Sequence, residues 1–132
     1  MKEVTKLMIN DFKIKELGYD FMGFSLQKGD IYTFHHLIVP NRDGGKIERW
    51  NGAILCGATS HPYLHLIESK SDEIFSYITS EMIDINLKGY LDKRNLREIG
   101  YLLDEFESKH GNDTNGRGRK LIKSIYRERN KF

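Results

Sequence analysis

The sequence has a single cysteine, Cys56, so no disulfide can close within the chain, and the paired Cys-x-x-Cys knuckles of a structural zinc ribbon are absent. Any metal must therefore be held by histidine, carboxylate or asparagine. Also missing is an apolar run approaching the roughly 20 residues that cross a bilayer. The opening MKEVTKLMINDF carries acidic residues where a signal peptide would need an apolar core. These absences predict a cytoplasmic protein with no membrane partner. No internal repeat is visible. At 132 residues the chain suffices for one core and not for two, and its 39% hydrophobic and 30% charged content argues against global disorder. We expect one domain over 1–132.

An excess of either charge is lacking overall, but the net +2 hides an asymmetry. Residues 109–132 carry eight Lys/Arg against two Asp/Glu, a local +6, while the first 108 residues sum to −4. A basic tail, 111–132, on a mildly acidic body suggests a polyanionic partner.

In chain order, residues 1–30 read as a lead-in: a short, imperfect helix through Val4, Leu7, Met8, Phe12, Ile14 and Leu17, stopped by Gly18, then an irregular aromatic stretch ending in a turn at Gly29. Ile31 to Val39 is β-branched and aromatic and predicts a strand bounded by Pro40. Asp43-Gly44-Gly45 marks a loop that tolerates positive φ. WNGAILC (50–56) predicts a second strand, with Gly52 at a tight point. Ser60 suits an N-cap and Pro62 the first helical turn. Two further helices are expected, one from Ser71 to Gly89 with Ile74, Phe75, Ile78, Met82, Ile83 and Ile85 inward. The other runs from the cap Asp92 to about His110, with Leu96, Ile99, Leu102, Leu103 and Phe106 inward. The stretch RKLIKSIYRERNKF suggests a basic helix.

Four of the five histidines lie within 35–65. His61 and His65, one turn apart on a helix, place two imidazoles close enough to share a divalent ion, and a histidine at a strand end could complete one face of the coordination sphere. Strand neighbours face opposite sides, so His35 and His36 cannot both join that ion unless the strand ends or bulges between them. A histidine beside the ion but outside its coordination sphere is a ready general base for water attack on a phosphodiester.

HHLIVPNRDGG, WNGAILC and SHPYLH together resemble the motif of HNH endonucleases, a ββα-metal (His-Me finger) unit. The likeness is to the His-His form found in bacterial nuclease toxins such as colicin DNases, and to small HNH proteins of Firmicutes and their mobile elements. It is specific over 33–68, about a quarter of the chain. The resemblance implies an α+β fold with a ββα-metal core at 31–70, helical support at 71–110 and additional C-terminal helices. It implies His35, His61 and His65 as ligands of one divalent ion (Mg, Mn, Ni or Zn), and His36 as general base. Asn51 would hold the loop or orient His36. A DNA phosphodiester would be the substrate, and a protein partner is conceivable for a phage or mobile-element product.

Departures from the family pattern are also visible. Cys56 stands alone, best read as a small buried apolar residue, so no second structural zinc is available. The cation that steadies the transition state is not given by the motif; among Arg42, Lys46 and Arg49, Arg42 is favoured by its place on the turn after the base. Tyr63 reads as packing or surface, Glu68 as an outer partner of the ligands, and His110 as a residue suiting a helix C-terminus. A catalytically inactive HNH-like protein that binds nucleic acid or inhibits a nuclease is the alternative; it would have no need of His36 beside a full ligand set.

Overall fold

The computed structural model describes residues 2–26, 29–112 and 114. The expected basic helix and nearly all of the 111–132 tail lie outside the described residues. Among the described residues the chain is mixed α and β, with five α-helices and one two-stranded antiparallel sheet. No helix among them is long and apolar enough to cross a membrane.

The imperfect N-terminal periodicity has a simple cause: there are two helices. α1 (Glu3–Asp11) buries Met8 and Ile9, and the chain then breaks at Lys13, which takes up φ +54. α2 (Ile14–Leu17) ends at Gly18, φ +85, whose N–H closes on the Ile14 carbonyl. A left-handed residue at this position favours glycine.

The aromatic stretch that follows lacks regular structure yet lies in the core. Phe21, Met22 and Phe24 are fully buried, with Phe21 packed on Phe12 at 4.7 Å between ring centroids.

β1 (Tyr32–His36) pairs with β2 (Gly52–Cys56) in antiparallel register from Tyr32 opposite Cys56 to His36 opposite Gly52. Both strands are shorter than their apolar runs predict, for one reason. Asn51, fully buried, accepts from the N–H groups of Ile38 (3.0 Å) and Val39 (2.8 Å) and donates to the carbonyls of Val39 (3.0 Å) and Lys46 (3.2 Å). A side chain amide thus takes the backbone groups that a longer strand would need, and the chain turns away. Residues 49–51 form a 3₁₀ turn in place of strand.

Every residue of β2 is buried, and its edge away from β1 is covered group by group. The Gly52 carbonyl accepts from the Asn86 side chain (2.6 Å), the Ile54 carbonyl from the Phe21 N–H (3.2 Å), and the Cys56 N–H donates to Asp20 (2.8 Å) and Ser60 (2.9 Å). Buried backbone groups must be paired, and these partners come from three separate parts of the chain.

Helix α3 (Ser60–Lys70) begins one residue earlier than the cap reading placed it. Ser60 is the first helical residue, and its hydroxyl bonds Asp20 and the Cys56 backbone instead of capping the helix. α4 (Asp72–Lys88) is capped by Ser71, which accepts from the Ile74 N–H, and closed by Gly89 at φ +84. α5 (Lys93–His110) is capped by Asp92, which accepts from the Arg94 N–H. Ile74, Ile78, Met82 and Ile85 of α4 and Leu96, Ile99, Leu103 and Phe106 of α5 join the lead-in aromatics and β2 in one hydrophobic cluster.

Candidate metal centre

Strand alternation sets the geometry of the site. Thr33 and His35 lie on the face of β1 turned to α3, while Phe34 and His36 lie on the other face, their rings meeting edge-on at 5.1 Å. No bulge separates His35 from His36: the register continues regularly to His36 opposite Gly52, and the two imidazoles part by alternation. Because the strand ends at His36, one groove of about 650 Å³ wraps round its end. Both histidines line it, with Arg42, His61, His65, Glu68 and Phe75.

His35 is buried, and its ring lies 5.3 Å from that of His61 and 5.6 Å from that of His65. The two helix histidines stack at 4.8 Å, as positions one turn apart on α3 allow. One nitrogen of each ring comes within 4.8 Å of the others. Burial, reinforced by the neighbouring imidazoles, lowers the His35 pKa to about 3, and burial with His65 nearby lowers that of His61 to about 4. At neutral pH both rings are therefore uncharged, the state in which imidazole ligates a metal.

Two of the three rings have a partner for the far nitrogen. His61 Nδ1 lies 2.7 Å from the Thr33 hydroxyl, and His65 Nδ1 lies 3.2 Å from Glu68 Oε1. Each contact leaves Nε2 for the cluster. Three imidazoles, two with the far nitrogen already engaged, form a donor set that fits a divalent transition ion.

His36 differs from its neighbours. Its Nε2 is buried and has no hydrogen-bond partner among the described residues. Its surroundings depend on Gly52, since a Cβ there would stand 2.1 Å from the Phe34 ring that packs on His36.

Of the three candidate cations, Arg42 alone lines this groove. Arg49 is drawn to α1 by Asp11 (3.5 Å) and lies over the Phe12 ring, and Lys46 faces a separate hollow beside Lys2 and Glu3. Asn51 spends both side-chain atoms on the loop, so of its two expected roles the geometry carries the loop clamp and not a hydrogen bond to His36. The loop glycines do different jobs: Gly44 has φ +84, whereas Gly45 needs room, because a Cβ would fall 1.9 Å from the Val39 carbonyl oxygen.

Tyr63 is fully buried, its hydroxyl donating to Glu107 at 2.6 Å, so it is a packing residue. His110 stacks on Phe106 at the end of α5, away from the groove. Burial pushes the Cys56 thiol pKa up, consistent with a packing role.

Two contributors escaped sequence reasoning. Thr33 has no motif signal beyond sharing a strand face with His35. Asp20, fully buried, accepts from the N–H groups of Met22, Phe24 and Cys56 and from the Ser60 hydroxyl, tying the lead-in to the start of the ligand helix. No protein-family model matches the chain, and neither a curated protein nor a solved structure matches it.

Proposed function

We propose that the chain is a metal-dependent HNH-type endonuclease that hydrolyses DNA phosphodiester bonds in a cytoplasm, its β1, loop, β2 and α3 serving as a ββα-metal core. The observation that carries this reading is the parting of His35 and His36: one imidazole joins His61 and His65, while the other lines the same groove from the opposite face of β1, its buried Nε2 without a hydrogen-bond partner among the described residues.

His35, His61 and His65 would hold one divalent ion through nitrogen. Mg, Mn, Ni and Zn are all admissible, and the all-imidazole set favours the transition metals. Such an ion supplies Lewis-acid stabilisation of charge on the phosphate and the departing oxygen. His36 does the proton chemistry: its imidazole takes a proton from water as the water oxygen bonds to phosphorus and the P–O bond to the leaving group breaks. Arg42, on the rim, neutralises the phosphate. Asn51 keeps Leu37 to Lys46 in the conformation that brings Arg42 to the groove, a positioning role. The basic tail would add salt-dependent, sequence-independent grip on the backbone.

Plasmid cleavage with Mg²⁺, Mn²⁺, Ni²⁺ or Zn²⁺ tests the reading. His36→Ala should cut about 10²- to 10⁴-fold more slowly while still binding metal. Absence of cutting by the wild-type chain with every ion would overturn it.

A further inference from the structure

We infer that Thr33 is a positioning residue for the metal centre: its hydroxyl fixes the tautomer of His61 that ligates through Nε2. The inference rests on the reading of the three histidines as ligands, and not on nuclease activity.

A threonine hydroxyl has one proton. The hydroxyl lies 3.1 Å from the Leu55 carbonyl of β2, which can only accept, and 2.7 Å from His61 Nδ1; with the proton given to the carbonyl, an oxygen lone pair is left for Nδ1. Nδ1 must then carry the imidazole proton, and Nε2 is left with the lone pair a metal requires.

Three features hold the hydroxyl in place. β-Branching leaves Thr33 few χ1 choices. Its methyl group is directed at Gly57, where a Cβ would come within 3.2 Å of it. Thr33 is also paired with Leu55 across the sheet, so the accepting carbonyl belongs to its own ladder partner.

His65 is treated differently: its Nδ1 meets the half-exposed carboxylate of Glu68 on the next turn of the same helix. The strand that supplies His35 therefore also sets the orientation of His61, and one face of β1 organises two of the three ligands.

The test has two readouts, neither of which is cleavage. Long-range ¹H–¹⁵N spectra of the metal-free wild-type chain at neutral pH should show His61 protonated on Nδ1. Zn²⁺ affinity, measured by competition with a chromophoric chelator, should fall about 10- to 100-fold in Thr33→Val, which keeps the shape and removes the hydroxyl. Thr33→Ser should restore affinity to within a few-fold of wild type. His61 protonated on Nε2 in the wild type would overturn the assignment, as would undiminished Zn²⁺ binding by a folded Thr33→Val. Should that variant not fold, the wild-type tautomer and the serine variant still decide. A wild-type chain that shows the Nδ1–H tautomer yet binds no Zn²⁺ would sink the ligand reading while leaving the hydrogen-bond assignment standing.

Discussion

Asn51 offers the sharpest test of how the site is held together. Its amide satisfies two N–H groups and two carbonyls of the segment between His36 and Lys46. At a net of roughly 1 kcal/mol for each hydrogen bond, and allowing for water to reach part of the loop, Asn51→Ala should cost about 3 kcal/mol. For a domain of this size that is a fall in Tm of roughly 10 °C. Asn51→Asp is the more discriminating change. It keeps the acceptor that serves Ile38 and Val39 but turns two donors into a carboxylate oxygen facing the Val39 and Lys46 carbonyls, so it should destabilise at least as much as alanine. If Asn51 instead acted by orienting His36, an aspartate would accept from the imidazole at least as well, and cleavage would survive. Thermal unfolding followed by circular dichroism, read beside plasmid cleavage, separates the two. An Asn51→Asp protein with wild-type Tm and activity would refute the clamp.

Other perturbations have equally definite outcomes. Gly52→Ala should displace the Phe34 ring, and His36 with it, lowering cleavage while leaving Zn²⁺ binding within a few-fold of wild type; an unaltered rate would show that the ring is not what seats His36. Asp20→Ala removes the buried acceptor of four donors, of which the Met22 and Phe24 N–H groups keep no other among the described residues, and should cost about 2–4 kcal/mol, read as a drop in urea midpoint. Metal-free stability should depend on acid through His35, whose folded pKa of about 3 lies below its ordinary 6.5. A lowered folded pKa means the unfolded chain takes the proton first, so stability is full above 6.5 and is lost as pH falls through the window down to about 3. At about pH 5 the loss from His35 is up to roughly 2 kcal/mol, with a smaller share from the more exposed His61. Urea midpoints of wild type and His35→Gln should converge on acidification, and parallel curves would contradict the sign. Saturating Zn²⁺ should raise the wild-type midpoint at neutral pH and leave that of His35→Gln nearly where it was, since a ligand binding only the native state stabilises it.

What could be read in the chain, and what could not, divides by the range of the interaction. Ser71, Gly89 and Asp92 mark helix ends because a cap acts within three or four residues, so α4 and α5 are legible from local spelling. The spacing of His61 and His65 works the same way. Strand ends are not legible from apolar content, which does not register the competition from Asn51, whose partners lie up to 13 residues away. Asp20 is still less legible: a lone carboxylate among aromatics carries no sign that its partners are Cys56 and Ser60, 36 and 40 residues on. Asn86 looks like an interruption of an apolar stripe until β2 presents it with two carbonyls, those of Arg49 and Gly52. The lead-in stretch has no periodicity because it is neither helix nor strand. Its aromatic density was the one hint of burial.

The enclosure of β2 bears on how such a site could be moved. A strand whose outer edge is met by Phe21, Asp20 and Asn86, and on which α1 and α4 both pack, is not the end of a transferable cassette. Transplanting 31–70 into a foreign scaffold would carry over all four site histidines and the β1–β2 ladder, and leave behind the groups that cover the outer edge of β2. The host would need to furnish donors for the Gly52 and Ile54 carbonyls and a carboxylate to join Ser60 at the Cys56 N–H before the imidazoles could meet. Grafts that keep 2–26 and 71–88 alongside the motif should therefore retain metal affinity where the bare forty-residue graft does not.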